Sequence, residues 1–156
     1  RERYVEIADR LCERGWFGQK TGRGFYLYEE GSRIGIEDPE VLDIIAGERS
    51  TKGIRAREYS PEEIIRRYIG AMVNEAAKVL EEKVARCPSD IDVVQHYGYG
   101  FPRYRGGPMK YADMYGLRKI VEDIEEFSVE DPFFWKPSEL LKTMAAQGQT
   151  FEDLNL

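Results

Sequence analysis

Apolar residues recur along this chain at helical spacing and almost nowhere with a period of two. Tyr4, Val5, Ala8, Leu11 and Cys12 trace one face of a helix predicted over 1–14, with Gly15 as its stop. Asp38-Pro39-Glu40 reads as a helix start, with a capping Asp and Pro at the first helical position. Val41, Leu42 and Ile45 follow it as a short apolar face ending near Gly47. The best-defined element begins at Ser60-Pro-Glu-Glu63, a capping box. From there Ile65, Ile69, Met72, Val73, Ala76, Leu80 and Val84 hold one face of a long helix, predicted from Pro61 to Arg86 and ended by Pro88. Shorter helices are predicted from Ser89 to a stop at Gly98, with Ile91, Val94 and Gln95 inward, and then over 109–115 and 117–127. The last spans Ser138 to Gln147, with Leu140, Leu141 and Met144 inward and Gly148 closing it. The predicted class is all-α.

The connectors are aromatic or rich in glycine and proline. Trp16 to Tyr28 contains Gly22-x-Gly24 beside Lys20 and Arg23, which invites a phosphate-loop reading. That reading fails on context, because phosphate-binding glycines open a helix, whereas these lead into the extended aromatic run Phe25-Tyr-Leu-Tyr28. Glu48 to Tyr59 is charged, has almost no large aliphatic residue, and reads as a linker carrying a domain boundary. Gly98 to Pro108 packs glycines and prolines too densely for helix or strand and is read as a rigid elbow. Asp131-Pro-Phe-Phe-Trp-Lys-Pro137 is expected to plug the core, and 150–156 to be a short tail.

Composition narrows the function classes. A hydrophobic share of 42% and 12% aromatics belong to a folded chain. No apolar run is long enough to span a membrane, and the charged opening residues do not resemble a signal peptide. The chain opens without Met in what reads as mid-helix, so it is expected to be cut from a longer polypeptide. It does not end in Ser-Lys-Leu, which leaves a cytoplasmic location as the expectation. A net charge of −6 argues against nucleic acid as a partner. The charge is nevertheless uneven. Arg103, Arg105, Lys110, Arg118 and Lys119 face only Asp113 between Tyr97 and Lys119, whereas residues 120–131 hold six acids and no base. The basic cluster could attract a phosphorylated ligand such as coenzyme A, or an acidic face of a neighbouring domain. Its bland reading is a solvated surface with its counter-charges nearby.

Catalytic chemistry is scarce. No strand–glycine–helix unit for a dinucleotide is present. The single histidine, His96, is read as structural for want of a carboxylate partner, and Ser60 and Ser89 as helix caps. Glu75 is expected to hydrogen-bond within the fold. Cys12 and Cys87 have no metal-ligand spacing and are read as reduced thiols. No catalytic, cofactor-binding or metal-ligating residue is assigned.

Two glycine-rich signatures carry a family resemblance. Gly98-Tyr-Gly-Phe-Pro-x-x-x-Gly-Gly-Pro-Met109, with Tyr111-Ala-Asp113 and Gly116-Leu117, resembles the C-terminal helical region of multifunctional 3-hydroxyacyl-CoA dehydrogenases of fatty acid β-oxidation. Gly18-x-Lys-Thr-Gly-x-Gly-Phe-Tyr26 is similar to the signature that closes the first helical domain of these enzymes. The resemblance implies an all-α bundle of the 3-hydroxyacyl-CoA and 6-phosphogluconate dehydrogenase C-terminal type. It divides the chain into the end of the first helical domain (1–28), a connector with a short helix (29–59) and a second, degenerate copy of the helical domain (60–156). The working copy in the family opens Phe-Ile-x-Asn-Arg, its asparagine facing substrate. Here the opening is Glu63-Ile-Ile-Arg-Arg67, and Arg66 stands at the asparagine position.

The resemblance therefore implies a fragment inactive alone and without bound cofactor. Its parent would be an NAD-dependent 3-hydroxyacyl-CoA dehydrogenase that also has enoyl-CoA hydratase activity. The fragment's expected role is a scaffold, with the upstream NAD-binding and first helical domains of the same polypeptide as partners and the acyl-CoA substrate bound in the parent. A homodimer of the isolated fragment is a further expectation. The alternatives are an acyl-CoA phosphate site or interdomain docking surface at the basic cluster 103–119, with Arg103 and Arg105 as candidate contacts to the CoA phosphates, and an independent helical adaptor.

Overall fold

A computed structural model describes residues 4–155, which divide into two compact units between Glu58 and Tyr59. Among the described residues there are seven α-helices and one two-stranded sheet. None of these helices is long and apolar enough to cross a membrane.

The first unit holds α1 (Ile7–Glu13), the strands β1 (Tyr26–Tyr28) and β2 (Gly35–Glu37), and α2 (Pro39–Lys52). The strands pair antiparallel, Tyr26 opposite Glu37, so the aromatic run is extended as predicted but has a partner strand that periodicity did not reveal. Helix α1 is shorter than predicted; Tyr4 and Val5 are exposed ahead of it, and residues 1–3 of the prediction lie outside the described residues. Asp38 caps α2 by accepting from the Glu40 N–H, with Pro39 in the first turn. This helix does not stop near Gly47 but runs to Lys52, with left-handed Gly53 as its cap. Inside that extension the Glu48 carboxylate is buried, where it accepts from the Glu6 N–H and pairs with Arg10 and Lys52. The hydrogen bond from Lys52 is the main cause holding Glu48 below the usual carboxylate range.

In the glycine-rich turn, a Cβ on Gly24 would lie 2.6 Å from the Gly18 Cα, so the backbones touch where side chains cannot. Phe25 and Tyr26 of the aromatic run are exposed. The Arg23 guanidinium lies 3.6 Å over the Trp16 ring and pairs with Asp38 and Glu40. It is already neutralised, which agrees with the rejection of a phosphate loop here.

The second unit is built on α3 (Pro61–Glu81), started by Ser60, whose hydroxyl accepts from the Glu63 N–H. Around it stand α4 (Pro88–Tyr99), α5 (Pro108–Tyr115), α6 (Leu117–Ser128) and α7 (Glu139–Gln147), the last capped by Ser138. Ile69, Val73, Ala76 and Ala77 of α3 meet Ile120, Ile124 and Phe127 of α6 and Leu141, Met144 and Ala145 of α7 in one core. Complete burial contributes about 2 kcal/mol for each larger member of this set. Helix α3 ends five residues before the predicted Arg86; Val84 lies beyond it and is exposed, as is Ile65 near its start. Helix α4 starts at Pro88, runs through Gly98, and is capped by left-handed Gly100. Cys87, not Ser89, occupies its capping position, and Val94 faces outward.

Trp135 alone of the 131–137 aromatics plugs the core, its ring 5.1 Å from that of Phe127, while Phe133 and Phe134 are exposed. The expected tail is also structured. A 3-10 turn over Phe151–Leu154 buries Phe151 completely and has its own capping box from Thr150 and Asp153.

Candidate functional site

Arg66, which the resemblance sets at an asparagine position, stands on α3. Its Nε donates to Asp123 Oδ1 at 2.9 Å, and its terminal nitrogen reaches the carboxylates of Asp123 and Glu126. Asp123 is buried on α6 and accepts a further bond from the Tyr115 hydroxyl at 3.1 Å. Next in sequence, Arg67 pairs with Glu63 and Glu130 at 2.9 Å each, and its guanidinium lies 4.2 Å over the Phe127 ring. The acid-rich stretch 120–131 therefore takes counter-charges from α3, not from the basic cluster that precedes it. Both arginines are structural ties between helices. The Arg66 cation is locked to two carboxylates.

Asn74, one residue from Glu75, is a buried polar group of α3 with every expected partner. Its amide donates to the Lys136 carbonyl at 2.9 Å and its oxygen accepts from the Ser138 N–H at 2.8 Å, fixing the start of α7. Glu75 itself is exposed and accepts a hydrogen bond from Lys78 at 3.2 Å, within its own helix.

His96 and Asp92 line a small cleft of about 300 Å³ with Asp113 and Lys110. A carboxylate does stand one turn before the histidine on α4, close enough for an electrostatic interaction, which corrects the sequence reading. It is, however, committed elsewhere: Asp92 accepts from the Met109 and Lys110 N–H groups at 2.8 and 3.1 Å and so caps α5. Asp113 does the same for the last turn, accepting from the Phe151 and Glu152 N–H groups. Burial pushes both carboxyls above the usual range, against the pull of those N–H groups. His96 Nδ1 lies 3.1 Å from the Phe101 carbonyl, a tie between α4 and the loop after it.

The elbow holds Arg103 and Arg105 on a 3-10 turn, Arg103–Arg105, closed by left-handed Gly106. Gly107 has φ 97°, and a Cβ there would meet Asp92 Cγ at 2.3 Å. The sequence reading of a fixed backbone path thus has a specific cause: the Asp92 cap occupies the space. Beside the elbow runs an apolar surface. Ile64, Ile65 and Tyr68 of α3 border a cleft of about 370 Å³ with Tyr99 and Phe101. A larger one of about 850 Å³ adjoins it, between Met72 and Val79 of α3 and Val93 and Val94 of α4.

Cys12 and Cys87 are free thiols, and no group of three or more His, Cys, Asp or Glu among the described residues could hold a metal. Strand β2 leads directly into α2 through Asp38 and Pro39, and a carboxylate at that helix start repels a pyrophosphate.

In the second unit buried polar groups hold elements together: Asp123 takes Arg66, Asn74 fixes the start of α7 and Asp92 caps α5. The chain belongs to the family described as "3-hydroxyacyl-CoA dehydrogenase, C-terminal domain", whose model matches residues 64–152. It is 43% identical over 149 residues to the peroxisomal bifunctional enzyme of Danio rerio, and 42% to that of Homo sapiens. Each alignment covers 94% of this chain and 21% of the relative. The fatty acid oxidation complex subunit alpha of Shewanella amazonensis is 36% identical over 143 residues, 92% of this chain and 20% of that protein. The chain thus spans about a fifth of the length of the curated relatives it matches.

Proposed function

We propose that this chain is the C-terminal helical part of an NAD-dependent dehydrogenase that oxidises L-3-hydroxyacyl-CoA to 3-oxoacyl-CoA in fatty acid β-oxidation. In that enzyme it supports the catalytic domains and does not react itself. One observation carries the reading: the guanidinium at the family's asparagine position is tied up by Asp123 and Glu126. The enoyl-CoA hydratase activity of the parent is proposed from the resemblance, and the word bifunctional in the relatives' names supports it.

The support acts through burial. Ile64, Ile65 and Tyr68 form an exposed apolar stripe on the helix that organises the core, continued by Val93, Val94 and Tyr99. Its occupant is the first helical domain of the same polypeptide, an arrangement with the pseudo-symmetry of a dimer of two helical copies. The relatives are about five times the length of this chain, so the polypeptide has ample remaining sequence to supply it. Within the boundaries predicted from the signatures, residues 60–156 would be the second copy.

The test is the double change Ile65→Glu and Tyr68→Glu in the full polypeptide. Both side chains are exposed, so this unit itself keeps its fold. The expected result is a lower melting temperature of the dehydrogenase and slower 3-hydroxyacyl-CoA oxidation, with unchanged affinity for NAD. Full activity and stability in that variant would refute the scaffold reading.

A further inference from the structure

We infer that Arg103 and Arg105, with the tyrosines stacked against them, form a binding surface for a nucleotide bearing a phosphate monoester, of the kind at the head of coenzyme A. The argument starts from charge. Arg66, Arg67 and Arg86, in the same unit, each reach a carboxylate at 2.9 Å or less. Arg103 and Arg105 pair with none among the described residues, in a chain with 29 acids and 23 bases. The acids nearest in sequence are already engaged: Asp92 caps α5 and Asp113 caps the last turn.

The two guanidiniums are held by rings instead. Arg103 lies 5.3 Å from the Tyr97 ring centre, and Arg105 lies 5.3 Å from those of Tyr104 and Tyr111, with its Nε donating to the Tyr104 hydroxyl. Tyr111 stacks on Tyr115, over which Lys119 sits at 5.6 Å. Cations and rings therefore alternate from the elbow across α5 to α6, and the Tyr115 hydroxyl anchors the row on Asp123. A guanidinium that only stacks on a ring, as Arg103 does on Tyr97, keeps its edge donors free for a bidentate anion. Its backbone is fixed by Pro102 on one side and left-handed Gly106 on the other, so little entropy is lost on binding.

The exposed rings select the ligand. Tyr104 is 83% exposed and Tyr97 77%, which provides a platform for a base beside donors for its phosphate. An acidic peptide would need the charge and not the platform. That coenzyme A is the source of the nucleotide rests on the acyl-CoA activity proposed above; the site itself does not.

The experiment is calorimetric titration of the full polypeptide with adenosine 3′,5′-bisphosphate. Wild type, Arg103→Ala/Arg105→Ala and Tyr104→Leu are compared, with NAD and polyglutamate as control ligands. The arginine variant is expected to lose one equivalent of bisphosphate binding, and in the wild type that equivalent weakens as salt rises. Tyr104→Leu should bind about tenfold more weakly, and NAD binding should be unchanged in all three. Equal bisphosphate binding by wild type and arginine variant overturns the inference. So does polyglutamate binding that depends on the arginines while Tyr104→Leu changes nothing, because the surface then fits an acidic segment. If the arginine-dependent equivalent is present but the polypeptide oxidises no 3-hydroxyacyl-CoA, the site stands and the dehydrogenase reading fails.

Discussion

Arg66 and Asp123 stand 57 residues apart in sequence and 2.9 Å apart in space, joined through Nε and Oδ1. Because Asp123 is buried, removal of the guanidinium leaves its charge supported only by the Tyr115 hydroxyl. Arg66→Ala is expected to cost about 2–3 kcal/mol of unfolding free energy, read from urea titration. Arg66→Asn restores the family's side chain without its surroundings. It is expected to lose comparable stability and to bring no oxidation of 3-hydroxyacyl-CoA to the isolated chain. A gain of turnover in that variant would sink the supporting role.

Gly107 gives a sharper test of packing. Alanine there would place Cβ 2.3 Å from Asp92 Cγ, on a backbone with φ 97°. Relief requires either moving the cap off α5 or straining the turn. The expected loss is about 3 kcal/mol or more. An unfolding midpoint within error of wild type would show that the Asp92 cap is dispensable.

Acid should act on two pairs of carboxyls with opposite sign. Asp92 and Asp113 have carboxyls raised by burial. A group raised on folding contributes stability that is complete below its unfolded value and lost as pH rises through the folded one. Asp38 and Glu48, in the first unit, are lowered, chiefly by hydrogen bonds from Arg23 and Lys52. Their contribution is present above the ordinary carboxylate range and lost as pH falls through the depressed values. Carboxyl titration by NMR should therefore find Asp92 and Asp113 protonating above the ordinary Asp range, and Asp38 and Glu48 below theirs. The reverse order would contradict the burial argument.

The helical class and most helix starts were legible because they depend on neighbours in sequence. Ser60, Asp38 and Ser138 cap helices whose apolar positions follow at helical spacing. Helix ends were less legible. Gly47 looked like a stop, but it sits in open space within α2, where glycine costs little beyond its entropy. The helix continues past it because Glu48 is buried against Arg10 and Lys52, a pairing that spans distant sequence. Long-range ties were not legible at all. The acids of α6 looked like partners for the adjacent bases, yet α3 neutralises them, and Phe151 looked like tail until Asp113 was found holding its turn. The cytoplasmic placement, read from the last residues, gains no support from animal relatives named peroxisomal.

The two tryptophans are shared out one to each unit, Trp16 beneath the Arg23 guanidinium and Trp135 sealed against Phe127. Each unit therefore carries its own fluorescent reporter in a contrasting setting, one beside a cation and half wet, the other dry. Emission spectra of single-tryptophan versions would register the melting of each half separately, with no dye attached.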